Sequence, residues 1–123
     1  MIKGLGIDTV EIARMEKNLQ NARFMERVFT GAEREHIGES KLSAERAAGN
    51  FAVKEALGKA LGCGITGCPL DAVETLRDDR GAPIVIVSGV VKERFVELGI
   101  GKAWVSITHT GGIATAVVVL EGE

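Results

Sequence analysis

Four side chains with chemical potential stand in an otherwise small and apolar background. "GNFAVKEALGKALG", Gly49 to Gly62, sets Glu55 and Lys59, with Lys54, among Phe51, Ala52, Val53, Ala56, Leu57, Ala60 and Leu61. "GIDTVE" carries Asp8 behind a short apolar run, and "WVSITHT" brings His109 close to Gly111 and Gly112. On a helical wheel Glu55 and Lys59 share one side with Ala44, Ala48, Phe51, Ala52, Gly58 and Gly62, while Val53, Leu57, Ala60 and Leu61 take the far side. Neither side reads as a plain solvated face. One account is an i, i+4 Glu–Lys pair in the favourable order, worth about 0.2–0.5 kcal/mol on an open helix. The other is that a carboxylate held beside an aromatic ring and glycines has a cation to meet.

Asp8 also has two readings. "DTVE" has the D-x-x-E form of a capping box, in which Asp8 would accept from helix amides and need no further role. A strand-end aspartate paired with a helix glutamate is equally an ordinary protein share of a Mg²⁺ site, because that metal keeps waters and takes other ligands from phosphates. Lys59, one turn beyond Glu55, would then meet a phosphate that the metal does not reach. His109 belongs at a rim, and by itself reads as structural. Arg46 is the nearest arginine in the same helix. Cys63 and Cys68 have a C-x4-C spacing with only His36 and His109 as further soft ligands, which is poor for zinc, so they are expected to be reduced thiols.

The elements that must position these groups follow from local patterns. Residues 2–7 predict a strand ending at Asp8, with Ile12, Met15 and Leu19 as the stripe of a helix behind it. Residues 22–29 suggest a short helix, and "TGAE", Thr30 to Glu33, caps another that stops near Gly38. Ser43 is the expected cap of the long helix, which runs to about Leu61 and breaks at "GCGITGCP". "AVETL", "PIVIV", "AWVSITHT" and "IATAVVVL" predict strands, residues 88–98 a helix ending at Gly99, and Gly111-Gly112 a two-residue hairpin turn. Helices first and hairpins later make an α+β fold, with a long central helix packed on an antiparallel sheet. "GLGIDTVEIA" lacks the third glycine of a dinucleotide fingerprint, and no phosphate-loop motif is present.

At 123 residues the chain is expected to form a single domain, 1–123. A net charge of −2 lacks the basic excess of a nucleic-acid binder. "MIKGLGI" is too short and too interrupted for a signal peptide or a membrane span, so a cytoplasmic protein is expected. The apolar strand "IATAVVVL" leaves surface to cover, which a closed symmetric assembly would do. Which of Val117, Val118 and Val119 would face a partner is not readable from spacing.

"GIDTVEIAR" at 6–14, "FAVKEALGKALG" at 51–62, "RGAP" at 80–83, then "VSITHT" and "AVVVLE", in this order and over nearly the whole chain, resemble the holo-acyl-carrier-protein synthase family of phosphopantetheinyl transferases. The resemblance implies a 4′-phosphopantetheinyl transferase-like fold and Mg²⁺-dependent transfer of the 4′-phosphopantetheine arm from coenzyme A to a serine of apo acyl carrier protein, for fatty acid biosynthesis. Adenosine 3′,5′-bisphosphate is left behind. By position it makes Asp8 and Glu55 the metal carboxylates, puts Lys59, a catalytic residue with them, near the coenzyme A phosphates, and puts His109 at the coenzyme A site. It leaves Lys54 to structure. Arg14, on a surface with Lys17, Arg23 and Arg27, is implied to contact the carrier protein. It further implies a homotrimer with sites at subunit interfaces. The base that takes the serine proton stays open between a water on the metal and Glu55.

The chain departs from the family pattern in three places. Asn50 and Ala82 stand where several relatives carry an arginine and a lysine, removing positive charge near the expected coenzyme A surface, and Ile113 replaces an aromatic. The alternative is therefore a non-catalytic, oligomeric ligand-binding or scaffold domain of the same fold, with Asp8 as a cap and Glu55 as an ion-pair partner.

Overall fold

The computed structural model describes residues 1–63 and 68–123; residues 64–67, inside the expected helix break, lie outside the described residues. The chain begins with β1 (Ile2–Glu11), followed by three short helices, α1 (Ile12–Asn18), α2 (Ala22–Val28) and α3 (Gly31–Ile37), and the long α4 (Ser43–Leu61). A 3-10 turn (Leu70–Ala72) leads into β2 (Val73–Arg77) and β3 (Pro83–Val87), then α5 (Gly89–Leu98), β4 (Ile100–Thr110) and β5 (Ile113–Gly122). The last strand lies in the middle of an antiparallel sheet, β1-β5-β4, and β2-β3 forms a separate hairpin. Gly111 and Gly112, with φ of 59° and 77°, supply the left-handed pair that a tight turn between β4 and β5 requires.

Register assigns every side chain of the sheet to a face. Towards α4 lie the rows Gly6–Val118–Val105, Asp8–Ala116–Ile107 and Val10–Ala114–His109; away from it lie Leu5–Val119–Trp104, Ile7–Val117–Ser106 and Thr9–Thr115–Thr108. Val118 is thus a core residue, while Val117 and Val119 face outward. The small residues of the first face have a cause: a Cβ at Gly4 or Gly6 would collide with the carbonyl oxygens of Ala60 and Ala56, so β1 lies directly against the backbone of α4. The other face stays open, with Leu5, Ile7 and Trp104 all more than half exposed.

α4 packs against β1, β4 and β5 on one side and α1, α3 and β2 on others, which is why both sides of its wheel are apolar. It ends as expected, with Gly62 left-handed at φ 75° and its N–H turned back onto Lys59 O and Gly58 O. The Thr30–Glu33 capping box of α3 is formed in both directions.

Three local expectations are overturned. Asp8 is not an N-cap: β1 continues through it to Glu11, because residues 8–11 pair with 116–113 of β5, and ladder hydrogen bonds outweigh a single capping bond. Ser43 does not cap α4; its Oγ donates to the carbonyls of Ile37 and Gly38, tying the end of α3 to the start of α4. Cys63 and Cys68 are not free thiols but a disulfide, their Cα atoms 6.5 Å apart, within ordinary bridging range. The C-x4-C spacing, weighed as a metal site, did not convey this pairing.

Candidate active site

Asp8 sits on the α4 side of β1, and Lys59 reaches across to it from the last turn of α4. The Lys59 ammonium donates to Asp8 Oδ1 and to the carbonyl of Ile7, both at 3.0 Å. Its partner is therefore the strand aspartate, not Glu55, its neighbour one turn earlier, and the i, i+4 pair expected from spacing does not form among the described residues. Glu55 Oε1 is instead buried without a hydrogen-bond partner. Burial raises the Glu55 pKa above the ordinary glutamate value, the nearby Asp8 carboxylate raises it further, and Lys59 opposes both.

Asp8 and Glu55 line a cleft of about 510 Å³ together with Arg14, Phe24, Phe51 and Ile113. Phe51 stacks on Phe24 with ring centroids 6.3 Å apart, so the aromatic flagged beside Glu55 forms a wall of this cleft and is not spread in solvent. A second hollow of about 270 Å³ adjoins Glu55, Phe24 and Phe51 and is flanked by Arg23 and Arg27. The roomier hollow near Ser40, about 780 Å³, is lined by none of Asp8, Glu55, Lys59 or His109. Size is a poor guide here: of these three hollows among the described residues, it is the one of about 510 Å³ that both Asp8 and Glu55 line.

His109 lies on the same sheet face but in β4, two strand spacings or about 10 Å from β1. Its Nε2 is 3.1 Å from the Glu45 carbonyl, ten residues and about 15 Å up α4 from Glu55. The structure thus brings Asp8, Glu55, Lys59 and Arg14 together and keeps His109 apart within one chain. Arg46 turns to the His36 carbonyl, away from the cleft.

Asn50 is not at a ligand surface. It is fully buried, and its Nδ2 donates to Glu33 Oε2 and to the Thr75 carbonyl. Lys54 is buried next to it, paired with Glu33 Oε1 at 2.6 Å and donating to the carbonyls of Leu70 and Val73. Lys54 is structural, as expected. Its partner Glu33, read from sequence as a capping residue alone, does both jobs, and no local spacing could have joined positions 21 residues apart.

What the pair of carboxylates could hold follows from their number. Among the described residues no group of three or more His, Cys, Asp or Glu converges, so a site needing a full protein shell is not built. Two carboxylates, one with an oxygen lacking a donor, suit a hard cation that keeps waters and takes its remaining ligands from phosphates. The residues present fit Mg²⁺.

Comparison with known proteins gives a consistent picture. A family model described as "4'-phosphopantetheinyl transferase superfamily" matches residues 4–118. The holo-[acyl-carrier-protein] synthase of Clostridium botulinum (strain Alaska E43 / Type E3) is 42% identical over 122 residues, covering 98% of each chain. A crystal structure of a holo-(acyl-carrier-protein) synthase from Bacillus anthracis in complex with CoA (3′,5′-ADP) superposes with a TM-score of 0.83 at 39% identity, covering 100% of this chain and 99% of that one. The Neisseria meningitidis synthase reaches a TM-score of 0.89 at 27% identity, covering 98% and 99%.

Proposed function

We propose that this chain, which belongs to the 4′-phosphopantetheinyl transferase superfamily and within it to the holo-[acyl-carrier-protein] synthases, uses the Asp8–Glu55 cleft to move the 4′-phosphopantetheine arm of coenzyme A onto a serine of apo acyl carrier protein. The observation that carries the site assignment is that Glu55, one of whose oxygens is buried without a partner, lines the same cleft as Asp8. The serine oxygen bonds to the β-phosphorus, the bond to the bridging pyrophosphate oxygen breaks, and adenosine 3′,5′-bisphosphate departs. The serine hydroxyl gives up its proton in the same event, to a water at the site or to Glu55. The fold unit is the single domain 1–123, and the reaction is assigned to the cytoplasm and to fatty acid biosynthesis.

Asp8 and Glu55 are the residues that would hold Mg²⁺. When bound there, the metal would offset charge developing on the pyrophosphate and align it for attack. Glu55 must be ionised to take part, and the cost of ionising it in the half-buried wall is visible in its raised pKa. Lys59, on the solvent side of Asp8, is placed to meet a phosphate oxygen by turning a few ångströms. Phe24 and Phe51 keep one wall of the cleft dry, which strengthens every charge interaction within it. Purified protein, apo carrier protein, coenzyme A and Mg²⁺ should yield a carrier heavier by one phosphopantetheine arm in mass spectrometry. No mass gain from folded protein would sink the assignment.

The scaffold alternative drew on missing positive charge at Asn50 and Ala82. Asn50 is an interior residue bonded to Glu33, so its lack of charge is not a loss at a ligand surface, and half of that argument goes.

Arg14 is exposed on α1 at the edge of the cleft and is the proposed carrier contact. Rim charges act mostly on encounter rate and salt dependence. Arg14→Glu should raise the carrier KM several-fold and flatten its salt dependence while leaving the coenzyme A KM nearly unchanged. An unchanged carrier KM removes this surface from the proposal.

The homotrimer is proposed on the open sheet face, where Leu5, Ile7, Val117, Val119 and Trp104 form an apolar surface on a small domain. A subunit contact would also let His109, distant from Asp8 within one chain, serve a coenzyme A bound between subunits. Val119→Lys should shift sedimentation towards monomer and weaken coenzyme A binding, whereas Val118→Thr, in the core, should lower the melting temperature without that specific shift. A wild-type monomer that transfers at full rate would rule the shared site out.

A further inference from the structure

Lys59 holds Asp8 Oδ1, one of the two oxygens through which Asp8 would hold a cation. Its ammonium is 3.0 Å from Asp8 Oδ1 and 3.0 Å from the Ile7 carbonyl, while Glu55 Oε1, on the same helix one turn away, is left without a donor. The side chain has therefore taken the strand aspartate in preference to its own helical neighbour. A divalent ion on Asp8 would bond an oxygen at about 2.0–2.1 Å, and an ammonium held against the same carboxylate is then a like charge at close range. The two positive charges disfavour each other at that carboxylate.

We propose that Lys59 is a tethered competitor for the cation site, so that metal binds weakly until a phosphate draws the ammonium off Asp8, and metal and coenzyme A enter as a coupled pair. This rests on the Mg²⁺ reading given above. Two features make the exchange inexpensive. The Lys59 side chain is 56% exposed against 20% for Asp8, so the ammonium sits on the solvent side of the pair and can swing outward while the carboxylate stays in place. A solvent-screened pair of this kind is also weak enough to be displaced. The phosphate that replaces Asp8 as the partner of Lys59 belongs to the same ligand that completes the metal shell, so each ligand removes an obstacle to the other. Such coupling is reciprocal: coenzyme A tightens metal binding by the factor by which metal tightens coenzyme A.

The test uses the full chain and Mn²⁺, counted as the free ion by electron paramagnetic resonance, without carrier protein or turnover. In the absence of coenzyme A, Lys59→Gln should bind Mn²⁺ about three- to tenfold more tightly than wild type, the scale for removing one partly screened like charge. Lys59→Arg keeps the cation and should stay within about twofold of wild type. Saturating coenzyme A should tighten Mn²⁺ binding more in wild type than in Lys59→Gln, because the variant has no competitor to lose. Glu55→Gln should bind Mn²⁺ least. Equal or weaker Mn²⁺ binding by Lys59→Gln, with binding still lost in Glu55→Gln, overturns the competitor and leaves the metal site standing. Mn²⁺ binding indifferent to Glu55→Gln overturns both.

Discussion

Glu55→Gln should cut transfer by roughly two to three orders of magnitude, the scale of losing one group that stabilises transition-state charge, and should at the same time raise the melting temperature at neutral pH. The first half follows from removing Glu55, which with Asp8 and Glu11 is one of the carboxylates lining the cleft. The second follows from the direction of the Glu55 pKa, raised by burial and then by Asp8. A carboxyl whose folded pKa lies above its unfolded value favours folding only while protonated. Its contribution is fully present below the unfolded pKa and is lost as pH rises through the folded one, so at neutral pH the ionised group is a burden to the fold. Glutamine removes that burden and keeps the shape. The stability gap between variant and wild type should therefore be widest near neutrality and close as the pH falls below the ordinary glutamate range. With coenzyme A present, Mg²⁺ should stabilise the wild type more than the variant, since only the wild type retains both carboxylates. Thermal melts at several pH values beside a transfer assay check each part; a variant that is less stable at neutral pH and still transfers would remove both the site and its electrostatic account.

The same residue shows what could be read in advance and what could not. Glu55 and Lys59 were legible as unusual because their neighbours are apolar on both sides of the wheel, and the cause is now plain: α4 is enclosed by strands and helices. Their mutual relation was not legible, because an i, i+4 spacing says that two side chains can meet and not that a third group, Asp8 on a strand 51 residues away, offers a better partner. Asp8 itself was misread locally for a similar reason. D-x-x-E is a genuine capping pattern, but the backbone of residues 8–11 had a competing use in the β5 ladder. Patterns closed within four or five residues survived where no long-range partner displaced them, as at the Gly62 helix end and the Gly111-Gly112 turn, and the Thr30–Glu33 box survived although Glu33 also meets Lys54, Asn50 and Thr75. The outward parity of Val117 and Val119 depends on which face of the sheet α4 covers, which spacing does not encode.

The largest stability effect belongs to Glu33, whose two oxygens are each met only by donors. Oε1 accepts from the Thr30 amide and the Lys54 ammonium, and Oε2 from the Thr75 amide and Asn50 Nδ2. A glutamine here would have to turn its amide group towards two donors in either orientation, so Glu33→Gln loses a charge and cannot recover the bonds by flipping. Lys54→Met creates the converse fault, leaving the Glu33 charge without its counter-ion and the carbonyls of Leu70 and Val73 without their ammonium donor. Removing one partner of a buried pair costs about 3–5 kcal/mol, because the survivor stays desolvated, and that is a large share of the 5–15 kcal/mol that holds a domain of this kind folded. Each single variant should show that loss in chemical denaturation. The double variant Glu33→Gln/Lys54→Met should lose less than the sum, by about 0.5–3 kcal/mol of coupling, since neither charge is then left alone. The network ties α3, α4 and β2 together from the far side of the helix, with no member in the cleft. Below the lowered melting temperature the kcat of Lys54→Met should therefore stay near that of wild type, in contrast to the collapse expected at the very next residue. Single variants that cost under about 1 kcal/mol would mean that solvent reaches this pair and that packing, not charge, seats α4.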